Sequence, residues 1–278
     1  MNLQTDSFLE YLKSERNYSP ATIESYAKDL AEFRNFLEGQ RLEPQWADVK
    51  ADDVREWVIY MLDEQKLTAS SVNRKLSALR TCYKYLRKME VVKANPMEKV
   101  VAPKKKRPLP YFVRESDMDK LLELTAEDKT FKGVRDRLIL LMFYETGIRR
   151  AELLGLTDAS VDLKAKQIKV TGKRNKQRIV PFGDELEAGL LAYLDFRKTK
   201  TGLSNAPALF ITEEGKPLNE AQVSRIVKDN LSMVTTMKKR SPHVLRHSFA
   251  TAMLNNKADL TSIQKLLDEG TVAELADK

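Results

Sequence analysis

Apolar residues recur at steps of three and four along almost the whole of this 278-residue chain, and that spacing commits it to a mainly α-helical fold. Ile23, Tyr26, Leu30, Phe33 and Leu37 form one such stripe. Its helix opens at Ser19-Pro20, a cap residue before a helix-starting proline, and is expected to stop at Gly39. Phe8, Leu9 and Leu12 make a shorter stripe ahead of it. Val54, Trp57, Val58 and Met61 predict a third helix over 52–64. Val72, Leu76, Leu79, Tyr83 and Leu86 predict a fourth, from Ser70 or Ser71 to Met89. Further on, the pattern predicts helices over 115–126, 134–145, 150–156, 184–197, 219–231, 245–255 and 261–267. The period changes once. Over 167–181, Ile168, Val170, Ile179 and Val180 flank Gly172-Lys173-Arg174-Asn175-Lys176, which reads as a β-hairpin or the tip of a small sheet. Residues 207–211 suit a short strand.

The chain is long enough for two domains, and its proline distribution says where to divide it. Pro96, Pro103, Pro108 and Pro110 disfavour both helix and central strand, so a linker is expected over 96–112. It separates a helical domain over 1–95 from a mixed helix-and-hairpin domain over 113–278. Hydrophobic residues are 42% of the chain, enough for packed cores. A lone cysteine, Cys82, excludes an intrachain disulfide framework and a cysteine-built zinc site. Two histidines, His243 and His247, argue against a histidine-rich metal centre. No metal and no cofactor is expected. The chain lacks the run of about 18 apolar residues that a membrane span needs. Asp6 and Glu10 in the first dozen residues do not suit a secretory signal, and a cytoplasmic protein is expected.

Lys and Arg number 48 against 40 Asp and Glu, a formal charge of +8 that leans toward a polyanionic partner without proving one. Its distribution says more. Between Ser70 and Met89 stand Arg74, Lys75, Arg80, Lys84, Arg87 and Lys88, with no acid among them. A helix face of one sign repels itself and gains no intrahelical ion pairs, which favours a phosphate-backbone surface over a merely solvated face. Lys104-Lys105-Lys106-Arg107 fits either a soluble joint or a strap across a phosphate backbone. From Lys164 to Arg178 the hairpin carries seven basic residues and no acid, including Lys173, Arg174, Lys176 and Arg178.

Three clusters carry the chemistry. They are Thr146-Gly147-Ile148-Arg149-Arg150-Ala151-Glu152-Leu153; Thr171-Gly172-Lys173 followed by Asn175, Lys176, Arg178, Val180 and Pro181; and His243-Val244-Leu245-Arg246-His247-Ser248-Phe249-Ala250-Thr251. In this order and separation they resemble the motifs of the tyrosine recombinases, the integrase-like enzymes that break and rejoin DNA, and most nearly the short two-domain Xer type. The opening Tyr18-Ser19-Pro20-Ala21-Thr22 extends the resemblance over nearly the whole chain. It implies a mainly α fold: an N-terminal helical core-binding (SAM-like) domain and an α+β catalytic domain with a small β-sheet. Double-stranded DNA is the implied partner, gripped between a basic helix of one domain and the catalytic residues of the other. The complete form is expected as a tetramer on two DNA sites and this chain as a monomer off DNA.

The resemblance also implies roles. Arg149 and Arg246 clamp the phosphodiester, where fixed guanidiniums match developing oxyanion charge. Lys173 is the general acid for the 5′-oxygen leaving group, and His243 assists proton transfer. Arg174 stands where glycine is common. Taken singly, these residues have plainer readings: a surface ion pair, a turn lysine, a helix-start histidine. Arg149 at a helix start gains little from the dipole, which favours an anion-facing role. Glu152 is expected to anchor the Arg149 segment by an ion pair, and His247, one turn beyond His243, to be a buried structural hydrogen-bonder.

The resemblance breaks after Leu267. The family continues with Gly-His and, about nine residues later, the nucleophilic tyrosine and then a helix that docks on a neighbouring protomer. Here Glu269 stands at the second histidine position and Lys278 at the nucleophile position, and no tyrosine follows Tyr193. A lysine offers no route to the 3′-phosphotyrosyl ester, and a carboxylate near a phosphate adds repulsion. Three explanations stand. The tail of an active recombinase has been cut or replaced, which the abruptness of the change favours; or this is a natural DNA-binding relative that does not cut; or a tyrosine is supplied in trans. A helical protein-interaction domain with incidental basic patches is the reading from outside the family.

Overall fold

The structure is a computed structural model that describes residues 3–40, 43–105, 111–172, 176–202 and 208–267. It divides into two units, 1–108 and 109–278, each with its own hydrophobic core.

The first unit is helical: α1 (Leu3–Ser14), α2 (Pro20–Glu38), α3 (Ala51–Asp63) and α4 (Ala69–Lys88). Ser19 caps α2, its hydroxyl accepting from the Thr22 N–H at 3.3 Å, and Pro20 fills the first helical position. The stripes meet in one core. Phe8 and Leu12 of α1 and Leu30, Phe33 and Leu37 of α2 are buried with Trp57 and Met61 of α3 and Leu76, Tyr83 and Leu86 of α4. The Phe33 and Trp57 rings lie 4.8 Å apart, and the Tyr83 hydroxyl donates to the Trp46 carbonyl at 3.1 Å. Pro96–Lys99, expected to open the linker, forms a 3-10 turn whose Met97 is buried in this core with Val100. Two apolar side chains among the prolines draw the segment back onto the first unit.

The basic face of α4 is divided. Lys75 is only 6% exposed; its ammonium reaches the Asp29 carboxylate at 3.2 Å and also pairs with Glu32. Arg74 pairs with the same Asp29, and one of its bonds to that carboxylate measures 2.8 Å. Arg87 pairs with Glu98 at 2.8 Å, and Lys88 lies 3.9 Å from Glu15. Lys75 is therefore not on the outer surface where it was expected, because carboxylates from α2 draw it inward. Arg80 and Lys84 have no ion-pair partner among the described residues.

The second unit is built around α6 (Phe131–Thr146), in which Leu138 through Phe143 are all buried. A helix apolar on every side belongs at the centre of a core. Around it stand α5 (Glu115–Ala126), α7 (Arg150–Leu154), α8 (Asp184–Thr201), α9 (Glu220–Leu231), α10 (Pro242–Asn255) and α11 (Leu260–Leu267). The expected hairpin is β2 (Gln167–Thr171) paired antiparallel with β3 (Gln177–Pro181), and β1 (Val161–Asp162) adds a third strand beside β2. The pairing Ile168↔Val180 turns both residues into the core. Residues 208–211 do not form the expected strand beyond one isolated bridge, Ile211 to Pro217. Their polar groups find other partners: the Leu209 N–H donates to the Leu156 carbonyl at 2.7 Å, and the Ile211 N–H to the Tyr193 hydroxyl at 3.2 Å. Helix α10 begins at Pro242, earlier than the apolar stripe suggested, and so includes His243. Among the described residues no helix is long and apolar enough to cross a membrane.

The Asp29 network gives a stability test. Asp29 is 1% exposed, and removing its charge leaves Lys75 buried with one carboxylate fewer. Asp29→Ala should destabilise the first unit by about 3–5 kcal/mol, while Lys84→Ala should stay within about 0.5 kcal/mol. Urea unfolding of both variants checks this.

Candidate functional site

Helix α6 ends at Gly147, whose φ of 58° is the left-handed conformation that favours glycine. A Cβ there would collide with the Phe249 ring. The turn buries Ile148 and delivers Arg149 to the cap position of α7. Glu152, three residues on, reaches back, and the Arg149 N–H donates to its Oε2 at 2.8 Å. The same carboxylate holds the Arg149 side chain, Nη1 to Oε1 at 3.1 Å.

Strand β3 contributes Arg178, which grips Glu152 with both terminal nitrogens, Nη1 to Oε1 at 2.6 Å and Nη2 to Oε2 at 2.9 Å. Glu152 is 3% exposed. Burial pushes its carboxyl up, but the Arg178 hydrogen bonds, the Arg149 N–H and the two positive charges outweigh this and hold it below the ordinary glutamate value. Helix α10 contributes Arg246, 2% exposed, which donates to the carbonyls of Gly147 and Leu267. Arg178 Nε donates to the Leu266 carbonyl at 2.9 Å, and Arg149 Nη2 to that of Leu267 at 3.4 Å. Three guanidiniums thus gather at the carbonyl end of α11, where the helix dipole is negative.

Two of these arginines, Arg149 and Arg246, border a cleft of about 420 Å³ that Arg150, Ser241 and His243 also line. Glu220 and Ser224 also line it, with Arg150 Nη1 donating to Ser224 Oγ at 2.8 Å and Nη2 paired with Glu220. His243 is exposed on the first turn of α10, while His247, one turn on, is buried. Among the described residues no group of three or more His, Cys, Asp or Glu is placed to hold a metal.

The structure brings Arg149, His243 and Arg246 to one cleft with Glu152 beneath it. Lys173, Arg174, Lys106, Arg107, Glu269 and Lys278 lie outside the described residues. Lys104, Lys105 and Lys176 are exposed. Arg178, expected against DNA, is instead engaged by Glu152 and the Leu266 carbonyl. The Arg150–Glu220–Ser224 contact and the pairing of buried Arg197 with half-buried Asp158 had no signal in local spacing, because their partners lie far apart in sequence.

Residues 111–271 match the model of the phage integrase family, and residues 5–90 match that of the phage integrase N-terminal SAM-like domain. The chain belongs to the phage integrase family. This integrase-family chain is 37% identical to tyrosine recombinase XerC of Staphylococcus epidermidis over 262 residues, covering 94% of this chain and 87% of that one. It is 38% identical to tyrosine recombinase XerC of Staphylococcus aureus, covering 96% and 88%. Among solved structures, its fold is similar to the Tn1549 transposon integrase in complex with transposon right end DNA, with a TM-score of 0.76 at 18% identity and coverage of 99% and 93%. It is also similar to the XerH site-specific recombinase bound to palindromic difH substrate, with a TM-score of 0.74 at 21% identity and coverage of 97% and 79%.

Glu152→Gln keeps the shape but leaves two guanidiniums without their buried countercharge, so it should cost about 3–5 kcal/mol of stability. Arg150→Ala removes a half-exposed pair and should cost no more than about 1 kcal/mol. Urea denaturation followed through the second unit distinguishes the two.

Proposed function

We propose that this chain binds duplex DNA and holds one phosphodiester between Arg149, Arg246 and His243, the arrangement for site-specific strand breakage and rejoining. The observation that carries this reading is the meeting of two arginines from separate helices with His243 in one cleft, each guanidinium fixed by protein oxygens. Cations held in place before the substrate arrives need no reorganisation as charge develops on the non-bridging oxygens. Lys173 is the proposed general acid. The preceding Gly172 lies against Glu152, where an added Cβ would sit 3.2 Å from Oε1. The names of the XerC relatives and the DNA complexes of the Tn1549 integrase and XerH support the same substrate. Arg80 and Lys84, with Lys104 through Arg107, are the proposed backbone contacts of the first unit and its following segment, and a recombining complex is proposed to be tetrameric.

The 278 residues contain no tyrosine after Tyr193, and Tyr193 is fully buried with its hydroxyl on the Leu209 carbonyl at 3.1 Å. In the proposed reading this polypeptide therefore binds the phosphodiester without attacking it. The acidic pair Asp268-Glu269 favours a second reading, a DNA-binding regulator that never cuts.

A nicked suicide substrate separates these readings. The 278-residue chain should form no covalent adduct, and a variant with Asp268→Gly, Glu269→His and Lys278→Tyr, extended by a family tail, should form one. Adding Arg149→Ala or Arg246→Ala to that variant should abolish the adduct while DNA binding survives. An adduct from the unaltered chain contradicts the proposed inactivity, and no adduct after restoration favours the regulator. Binding itself should weaken steeply with salt, with log K falling linearly in log salt; affinity unchanged over a roughly tenfold rise in salt contradicts phosphate binding.

A further inference from the structure

Arg149 and Arg150 are neighbours in sequence, yet their side chains are tied to different partners. Arg149 is held by Glu152 and by the Leu267 carbonyl at the end of α11. Arg150 reaches α9 instead, where Nη1 donates to Ser224 Oγ at 2.8 Å and Nη2 pairs with Glu220. Both arginines line the same cleft. We infer that Arg150, with the Ser224 and Ser241 hydroxyls, seats a second DNA phosphate, and that Glu220 is the resident anion this phosphate displaces. The inference rests on the function proposed above and extends it from one phosphodiester to its neighbour on the strand.

Room and donors support a second seat. At about 420 Å³ the cleft falls in the range of pockets that hold whole small molecules, more than one phosphate group fills. A guanidinium has five N–H donors, and Arg150 uses two of them on Ser224 and Glu220. The Ser224 hydroxyl accepts from Arg150, which leaves its own proton to donate. Ser241 stands at the cap position of α10 and lines the cleft, but its hydroxyl makes no capping hydrogen bond. Helix α9 opens at Glu220 and α10 at Pro242, so the positive ends of two helix dipoles border the same space.

The Glu220 carboxylate indicates what the seat binds. Its side chain is 61% exposed and that of Arg150 39%. A pair this open to water gains little from its Coulomb attraction, so an incoming phosphate can replace the carboxylate. The guanidinium fork matches phosphate oxygens with the same planar geometry that it offers carboxylates. A bracing role and a phosphate seat then differ in sign. If the Arg150–Glu220–Ser224 contact only braces α7 against α9, loss of either charged partner loosens the same brace, and neither loss improves binding. If it is a phosphate seat, loss of Arg150 removes a contact, whereas neutralising Glu220 removes both a competitor and a repulsive charge.

The test is fluorescence anisotropy of a labelled mixed-sequence duplex with the full chain, repeated over a series of salt concentrations. A mixed sequence serves because phosphate contacts carry no base information. Arg150→Ala should weaken binding severalfold and make the log–log salt slope shallower by about 0.9, the contribution of one phosphate contact. Glu220→Gln should tighten binding severalfold. Should Arg150→Ala fail to fold, Glu220→Gln, a change of charge at an exposed side chain, decides alone. An unchanged slope in Arg150→Ala, or a Glu220→Gln chain that binds no tighter than the parent, overturns the inference. Either result beside a parent chain whose binding falls steeply with salt sinks the second seat and leaves the proposed function standing. A parent chain with no salt-dependent affinity for the duplex contradicts both.

Discussion

The buried carboxylate of Glu152 is the interaction on which the second unit's site depends. It binds the Arg149 backbone and side chain from within α7 and both ends of the Arg178 fork from β3. A short helix and a sheet edge, which would otherwise drift relative to each other, are tied at one point. Arg178 then extends the tie to the end of α11 through the Leu266 carbonyl. Arg246 approaches from α10 and shares the Leu267 carbonyl with Arg149. A buried ion pair is in general weak evidence for stability, because desolvation offsets the Coulomb gain. Here four hydrogen bonds meet the two oxygens, and the result is position: the Arg149 guanidinium fixed beside an open cleft.

The same logic organises the first unit on a smaller scale. Asp29 on α2 gathers Arg74 and Lys75 of α4, so part of what reads as a uniformly basic helix is internal cross-linking. The positive charge left for a partner is concentrated on fewer residues, Arg80 and Lys84 among them. In both units a buried acid decides which basic residues face outward.

Much of this was legible in the sequence, and the exceptions share a cause. Helix stripes such as Val72, Leu76, Leu79, Tyr83 and Leu86 are local, and local periodicity survives folding. Glu152 beside Arg149 is also local, a three-residue step inside a helix start. What single-sequence reading missed depends on partners distant in the chain. Lys75 and Arg178 looked like DNA contacts because residue type reveals charge but not a carboxylate 46 or 26 positions away. Residues 208–211 looked like a strand because they are apolar, yet their backbone groups bond to Leu156 and Tyr193 rather than to a neighbouring strand. Met97 and Val100 were hidden among prolines. Arg149, His243 and Arg246, which meet at the cleft, stood out in the sequence because each lies in a short contiguous cluster.

The account requires Glu152 to remain ionised in the folded protein despite its burial. Folding with a depressed carboxyl pKa adds stability that is present above the unfolded glutamate range and lost as pH falls through the folded value. The most direct test is a pH titration of the Glu152 side-chain carboxyl carbon by carbon-13 NMR, assigned by comparison with Glu152→Gln. The account predicts that this resonance holds its ionised shift through the ordinary glutamate range and titrates only below it. A midpoint within or above that range would mean that desolvation outweighs the two arginines, and would contradict a site assembled around this carboxylate.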